Sequence, residues 1–277
     1  MAGPEPLIDI HAHFFHAASP RADWAALNDA RLRAGRAIGI TYHVASILGS
    51  WGRTSPTYFQ SPADTVAGND AMLDLQTQHP ANVRCYVAVN PNDRGAAVAE
   101  IDRCVAAGAI GLKLAAARRA DDAVVQPVID RARTHGLPVL HHIWQQRKRH
   151  WPSQDISDGR DLALLAARNP DVWFILAHIG GGGDYQHTFA AVREVPNVLL
   201  DLSGSGADRG MLDAAAATVG ARRLMWGADI TLDTGLAKLW ALEHVGLSSD
   251  ELADVRWRNA RRIFPARAFP SLPGVHS

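Results

Sequence analysis

Two histidines one residue apart stand at the end of the first apolar run of the chain, which covers residues 7–13. Side chains alternate between the two faces of a β-strand, so His11 and His13 are expected to point to the same side. Two imidazoles on one side of a strand can bind a single metal ion. The same alternation predicts that Asp9 shares this face but lies deeper, where it would support the site rather than bind the ion.

Three later apolar runs end in side chains that could complete such a site: the pair His141–His142, the single His178, and Asp229. Imidazoles together with one carboxylate suit a borderline cation such as Zn²⁺ and leave an open position for water. A bound Zn²⁺ lowers the pKa of its water ligand to about 7, which makes hydroxide available at neutral pH. We therefore expect one divalent metal ion, zinc in the first place, with manganese, iron or cobalt as alternatives.

The elements that precede these positions have to bring them together. Eight short runs rich in valine, isoleucine and leucine alternate with helical stretches from end to end of the chain. Most of these runs lack a polar face, as strands covered on both sides do. The predicted strands are residues 7–13, 39–48, 83–89, 109–114, 137–142, 172–178, 197–202 and 223–228.

This alternation predicts an α/β fold, namely a distorted (β/α)₈ TIM barrel in a single domain over residues 1–277. An open doubly wound sheet is the alternative, but no G-x-G-x-x-G sequence follows the first strand. Barrels of this kind keep their chemistry at the C-terminal ends of the strands. Because His11, His13, His178 and Asp229 all lie at predicted strand ends, they are expected to meet on that face.

Composition excludes several classes of function. Lys plus Arg and Asp plus Glu number 28 each, so the formal net charge is zero and the positive excess of a nucleic-acid binder is missing. The only cysteines, Cys85 and Cys104, form no C-x-x-C pair that would indicate a disulfide framework or a zinc ribbon. No signal peptide is recognised at residues 1–6, and no apolar run has the length of a membrane span. A cytoplasmic protein is expected.

Two long connections, residues 49–62 and 143–157, leave the C-terminal ends of predicted strands two and five. Such connections are typical of functional loops, and these would hang over the active-site face. A locally basic cleft concentrates anions, so we expect a small carboxylate-bearing substrate that is partly apolar or aromatic. The alternative is a solvated charge run whose tryptophans pack in a lid or at the interface of a homo-oligomer. The charged and aromatic residues expected at this mouth are Arg53, Arg118, Arg119, the basic cluster at 147–149 and Trp144.

Taken in order, six short motifs resemble the amidohydrolase superfamily. The closest resemblance is to its amidohydrolase-related (amidohydrolase 2) group, which includes metal-dependent lactonases and aminocarboxymuconate-semialdehyde decarboxylase-like enzymes. The similarity covers nearly the whole chain. The motifs are D-x-H-x-H at 9–13, A-V-N-P at 88–91, L-P-V-L-x-H at 137–142, A-H-x-G-G at 177–181, W-G-A-D at 226–229 and N-A-x-R-x-F at 259–264.

The resemblance implies roles for the individual residues. It implies that His11, His13, His142 and Asp229 bind the metal, and that Asp229 is also the general base for the attacking water. It selects His142, four residues after a proline, and leaves His141 facing the helices. His178 would stand beside the metal as proton shuttle and carbonyl polariser, with membership of the metal shell as the alternative.

Lys113 ends predicted strand four in the sequence Gly-Leu-Lys-Leu. In relatives with two metal ions, a lysine on this strand is carboxylated and bridges the ions. The sequence here is equally similar to relatives with one ion. We therefore expect Lys113 to contact substrate or to be structural, and we do not expect a second metal.

These observations predict metal-dependent hydrolysis, in which a metal-bound water attacks the carbonyl carbon of a lactone, ester or amide. The first alternative is non-oxidative decarboxylation by the same kind of site, with an arginine holding the substrate carboxylate. A TatD-like DNase is a second alternative, although such enzymes carry a glutamate on strand four where this chain has Lys113. A non-catalytic barrel is a third, and the complete set of ligand residues argues against it.

Overall fold

The computed structural model describes residues 5–17, 22–47, 62–143, 155–179, 185–204, 209–229 and 235–272. Each of the eight predicted strands is present but shorter than predicted at one or both ends, and the eighth keeps only 2 of its predicted residues. Every strand pairs in parallel with the next one along the chain. The strands are β1 (Ile8–His13), β2 (Tyr42–Ser46), β3 (Val83–Ala88), β4 (Gly111–Leu114), β5 (Val139–His142), β6 (Phe174–Ala177), β7 (Val198–Asp201) and β8 (Leu224–Met225).

Two backbone hydrogen bonds link the last strand back to the first. The Ile10 amide donates to the carbonyl of Trp226 at 3.2 Å, and the Asp229 amide donates to the carbonyl of His11 at 2.7 Å. These bonds leave the sheet nearly closed, so the predicted (β/α)₈ TIM barrel is confirmed. The second bond also holds two of the candidate site residues side by side.

Helices follow the strands on the outside of the barrel. Among the described helices, none is long and apolar enough to cross a membrane. The helices are α1 (Trp24–Ala37), α2 (Pro62–Gln78), α3 (Arg94–Ala106), α4 (Gln126–Thr134), α5 (Gly159–Arg168), α6 (Tyr185–Val192), α7 (Arg209–Val219), α8 (Leu236–Glu243), α9 (Ser249–Ala253) and α10 (Asn259–Ile263).

The buried apolar residues form two clusters, one between strands and helices and one inside the barrel. The inner cluster includes Ile8, Tyr86 and Leu140 together with residues of the C-terminal segment. Phe264 packs its ring 5.9 Å from that of Tyr86, measured between centroids. The N-A-x-R-x-F segment is therefore part of the packing that fills the barrel, and the polar centre lies beyond this apolar layer.

A β-bulge in β1 decides which of its side chains enter the barrel. Asp9 pairs with His43 of β2, but Ala12 already pairs with Ala45, so β1 has one extra residue in this interval. A bulge of this kind interrupts the alternation of side chains. His11 consequently points inward, whereas Asp9 remains on the outer face and accepts a hydrogen bond from His43 Nδ1 at 3.0 Å.

The expectation that Asp9 shares a face with the two histidines is therefore wrong. The side chain of its partner His43 lies between β2 and α1, with its ring 5.8 Å from that of Phe14 and directly against Gly35. A β-carbon at Gly35 would come within 2.5 Å of His43 Nε2, so the outer pocket has room only for glycine at this point of α1.

Candidate metal centre

His11 and His13 bring their Nε2 atoms to within 3.1 Å of each other inside the barrel. The carboxylate of Asp229 joins them, with its Oδ1 atom 3.3 Å from His13 Nε2 and 3.7 Å from His11 Nε2. Potential ligand atoms of all three residues lie within 4.8 Å of one another. Both imidazoles are buried, and the Asp229 side chain is 28% exposed, so the group is open on one side.

Hydrogen-bond partners identify which ring nitrogens carry hydrogen. Nδ1 of His13 lies 3.0 Å from the backbone carbonyl of Ser46, which can only accept, so this nitrogen is the donor. Nδ1 of His11 lies 2.6 Å from Asp201 Oδ2 and donates to that carboxylate. A neutral imidazole has one N–H group, so both Nε2 atoms present lone pairs to each other. Lone pairs and a carboxylate that converge in this way are the arrangement that a cation requires.

Asp229 reaches this position through an unusual backbone conformation. Its φ angle is +53°, in the left-handed region that aspartate enters more readily than most residues. Burial by itself would raise the pKa of the carboxyl group, but His178, His13 and His11 outweigh it and hold the pKa below its ordinary value. The side chain is thus ionised at neutral pH, as a metal ligand must be.

His178 and His142 stand beside this group. His178 Nε2 lies 3.6 Å from Asp229 Oδ2, and its ring stacks on that of His11 with centroids 4.9 Å apart. The ring of His142 is nearly perpendicular to that of His178, at 4.8 Å. Burial lowers the pKa of His178 to about 4, and burial followed by the proximity of His178 lowers that of His142. Both rings are therefore neutral at pH 7.

His142 and His141 occupy opposite faces of β5. His142 is in register with Ala177, which packs inside the barrel, whereas His141 is in register with Leu114 and Leu176 of the outer cluster. Nδ1 of His141 donates to the carbonyl of His142 at 2.9 Å. Within the described residues, the clusters of potential ligand atoms do not include His142, so it lies next to the group without joining it here.

Lys113 enters the centre from β4. Its Nζ atom donates to His11 Nε2 at 2.7 Å, which agrees with a lone pair on that nitrogen. Burial lowers the pKa of this amine to about 8, although the nearby Asp229 and Asp201 oppose the shift. Lys113 thus stands in contact with a candidate metal ligand rather than at the outer mouth.

The structure describes only part of the expected basic mouth. Arg53, Trp144 and the cluster at 147–149 lie outside the described residues. Arg118 donates to Asn92 and stands 3.6 Å from Asp122. Arg119 forms ion pairs of 2.8 Å and 3.0 Å with two aspartates, Asp121 and Asp161. Because aspartates neutralise both of these arginines, they add little net positive charge to this face.

Asp201 and Ser203 belong to the centre, although the sequence did not draw attention to them. Both are buried, and Ser203 Oγ lies 2.7 Å from His178 Nδ1 and 3.0 Å from His11 Nδ1. The available signal was a polar pair at positions i and i+2 at the end of the seventh predicted strand. It is the same spacing that singles out His11 and His13 on the first strand.

Asp9 supports the centre from the outer face of the barrel, through backbone groups. Its Oδ1 atom accepts hydrogen bonds from the amides of His11, at 3.2 Å, and Ala228, at 2.8 Å. Ala228 precedes Asp229, so one buried carboxylate fixes the backbone beside two of the three grouped residues.

Replacing Asp9 with alanine is expected to weaken metal binding about 10- to 100-fold, as loss of a supporting partner commonly does. It should also lower the free energy of unfolding by about 1–3 kcal/mol, because buried donors lose their acceptor. Competition with a chromogenic chelator and urea unfolding measure the two effects. Asp9→Asn, which keeps one acceptor oxygen, is the conservative control and should lie between. Wild-type metal affinity in the alanine variant would contradict the supporting role.

The profile of a protein family described as amidohydrolase matches residues 8–266 of the chain. The chain belongs to this family. No curated protein sequence matches the chain. The family match confirms the predicted relationship to the amidohydrolase superfamily, and the prediction of an enzyme is confirmed with it.

Solved structures match the chain over almost its whole length. A dihydroxybenzoic acid decarboxylase from Polaromonas, with bound manganese and the inhibitor 2-nitroresorcinol, is 18% identical with a TM-score of 0.70, covering 94% of this chain and 96% of its own. A 4-oxalomesaconate hydratase from Rhodopseudomonas palustris is 14% identical with a TM-score of 0.70, over 94% and 95% of the two chains. A probable 2-pyrone-4,6-dicarboxylic acid hydrolase from Acinetobacter baumannii, with bound citric acid, is 16% identical with a TM-score of 0.66, over 93% and 98%. At these identities the similarity shows a shared fold.

Proposed function

We propose that this protein binds one divalent metal ion through His11, His13, His142 and Asp229 and hydrolyses a carbonyl compound. The observation that carries the proposal is the convergence of two imidazole lone pairs and an ionised carboxylate within 4.8 Å. With no cation between them, the two Nε2 atoms 3.1 Å apart would repel each other. Nitrogen and oxygen ligands in this number suit zinc, with manganese, iron or cobalt as alternatives.

His142 is proposed as the fourth ligand. The resemblance of its strand to the family motif supports this role, and so does its place on the inner face of β5 beside His178. Burial lowers the pKa of its ring, so it is neutral and able to bind a metal at pH 7. Metal content measured on His142→Gln and His141→Gln tests the assignment, because only the first change should reduce it.

When bound, the divalent ion would act as a Lewis acid and lower the pKa of a coordinated water to about 7. The protein's own contribution is to hold and move protons. Asp229 is ionised and partly exposed, so it can take a proton from the attacking water. His178 Nε2, 3.6 Å from Asp229 Oδ2, is placed to receive that proton and pass it to the leaving group. Water then adds to the carbonyl carbon, the bond to the leaving oxygen or nitrogen breaks, and the leaving group takes the proton.

The proposed substrate is a small molecule that bears a carboxylate and a lactone, ester or amide bond. Lys113 supplies a buried amine next to His11, and we propose that it contacts the substrate. Arg53 and Trp144 are proposed as further contacts on the sequence pattern alone. The citric acid in the Acinetobacter hydrolase and the nitroresorcinol in the Polaromonas decarboxylase are small oxygen-rich ligands of proteins with the same fold, which fits this class of substrate.

Non-oxidative decarboxylation is the second candidate, and the decarboxylase among the structural neighbours favours it. In that reaction a carbon–carbon bond breaks, CO₂ leaves, and the ring carbon takes a proton. The centre would then need an acid that protonates the reacting carbon rather than a base that deprotonates water.

Product analysis separates the two reactions. Zinc- or manganese-loaded protein is incubated with a panel of lactones, esters and amides that carry a carboxylate, and with hydroxylated aromatic acids. Hydrolysis of a lactone or ester releases a proton that a pH-stat records, and hydrolysis of an amide releases an amine that a colorimetric amine assay records. Either product without CO₂ is the expected result. Release of CO₂ from an aromatic acid, absent in the Asp229→Asn variant, would instead assign the decarboxylase reaction.

A further inference from the structure

Asp201 and Ser203 connect the two histidines that flank the proposed metal position. Asp201 Oδ2 accepts from His11 Nδ1 at 2.6 Å and from the Ser203 hydroxyl, while Asp201 Oδ1 accepts from the Ser203 amide at 2.9 Å. Ser203 Oγ also lies 2.7 Å from His178 Nδ1. Both side chains are buried: the Ser203 hydroxyl lies within 3.0 Å of Nδ1 of both imidazoles, whereas the Asp201 carboxylate contacts Nδ1 of His11.

With Asp201 ionised, one arrangement of protons satisfies all the contacts of this network. The Ser203 hydroxyl has a single hydrogen and donates it to Asp201 Oδ2. Ser203 Oγ can then only accept from His178, so Nδ1 of His178 carries the ring hydrogen and Nε2 carries a lone pair. Asp201 determines the same tautomer for His11 directly.

We propose that Asp201 and Ser203 act as a positioning pair that sets the tautomers of His11 and His178 together, so that both present Nε2 lone pairs to the centre. The identity of the cation rests on the proposed function, whereas the two tautomers do not depend on it. In this tautomer the neutral ring of His178 has no N–H group facing the centre, so His178 begins as a proton acceptor and cannot polarise a substrate carbonyl.

Two glycines make room for the positioning pair. A β-carbon at Gly227 would collide with the Asp201 carboxylate and come within 3.1 Å of His11 Cβ. At Gly204, directly after Ser203, φ is +98° and a β-carbon would lie 2.6 Å from His178 Cβ. Larger residues at either position would push Asp201 or His178 out of hydrogen-bond distance, so the backbone on both sides is fitted to the network.

Nitrogen-15 NMR of the histidine side chains tests the proposal on the intact protein, with and without zinc. Signals are assigned with His11→Gln and His178→Gln. In the wild type, both rings are expected to show hydrogen on Nδ1. In Ser203→Ala, His178 loses its acceptor and should show hydrogen on Nε2 in a measurable fraction of molecules. His11, still bonded to Asp201, should not change.

Activity and stability provide the second readout. Ser203→Ala is expected to lower kcat about 10- to 100-fold on whichever substrate of the panel is turned over, with KM changed less than about threefold and metal content unchanged. Ser203→Thr, which keeps the hydroxyl, should restore the wild-type tautomer. Ser248→Ala removes the N-cap hydroxyl of α9, remote from the centre, and controls for a general loss of stability.

Two results would overturn the positioning role, even if the enzyme binds metal and hydrolyses its substrate. One is hydrogen on Nε2 of His178 in the wild type, and the other is an unchanged His178 tautomer in Ser203→Ala. Conversely, the expected tautomers in a protein that fails to bind zinc would support the positioning pair and contradict the proposed metal site. The two ideas are thus distinguishable in one set of samples.

Discussion

Replacing Asp229 with asparagine is expected to lower kcat/KM by about 10²- to 10⁴-fold, the range typical for loss of a positioned acid or base. Metal affinity should fall as well, because a neutral amide replaces the ionised carboxylate 3.3 Å from His13 Nε2. Asparagine has nearly the same shape and tolerates a positive φ angle. The backbone conformation at residue 229 and the hydrogen bond from its amide to the His11 carbonyl should therefore persist. The measurement is steady-state kinetics together with metal analysis of the purified variant.

Asp29→Asn serves as the matched control for Asp229→Asn. Asp29 is exposed on α1, so the same chemical change there should leave kinetics and metal content as in the wild type. A thermal melt of Asp229→Asn close to that of the wild type would exclude misfolding as the cause of lost activity. Full activity in Asp229→Asn would eliminate Asp229 as ligand and base, and with it the proposed mechanism.

Removal of the metal ion by a chelator is expected to abolish turnover, and addition of zinc or manganese should restore it. The barrel itself should remain folded, because its two apolar clusters do not include the centre. A ligand that binds only the native state stabilises a protein by about 2.7 kcal/mol when the free ligand concentration is 100 times its Kd. For a protein of this size, that corresponds to a rise in Tm of about 5 °C.

The double variant His11→Gln/His13→Gln is the control for metal removal. Its Tm should not respond to zinc, whereas the wild type, stripped and reloaded, should show the full shift. If metal analysis shows that the centre is empty and turnover nevertheless persists, the metal-dependent mechanism is contradicted. A zinc-dependent Tm shift of wild-type size in the double variant would show that the ion binds elsewhere in the chain.

Sequence patterns alone predicted the architecture because the barrel follows from local rules. Short apolar runs at regular spacing form parallel strands, and the helical stretches between them cover the sheet, so all eight strands were predicted near their observed positions. The position of a residue at a strand end then implies its place on the catalytic face. This reasoning brought His11, His13 and Asp229 together correctly, although they are far apart in the chain.

The same local rules failed where geometry departs from regular alternation. One extra residue in β1 turns His11 inward and leaves Asp9 outside with His43, and no signal in the sequence marks that bulge. Asp201 and Ser203 escaped notice because aspartate and serine at a strand end are common.

The sequence by itself determined the strand order, the face on which the chemistry lies and the kind of atoms that gather there, since these depend on composition and periodicity. Only the tertiary structure decided which nitrogen of each imidazole faces the centre, because that depends on a carbonyl of β2, a carboxylate of β7 and a serine just beyond it. Hydrogen-bond partners of this kind come from neighbouring strands, at distances along the chain that no local pattern records.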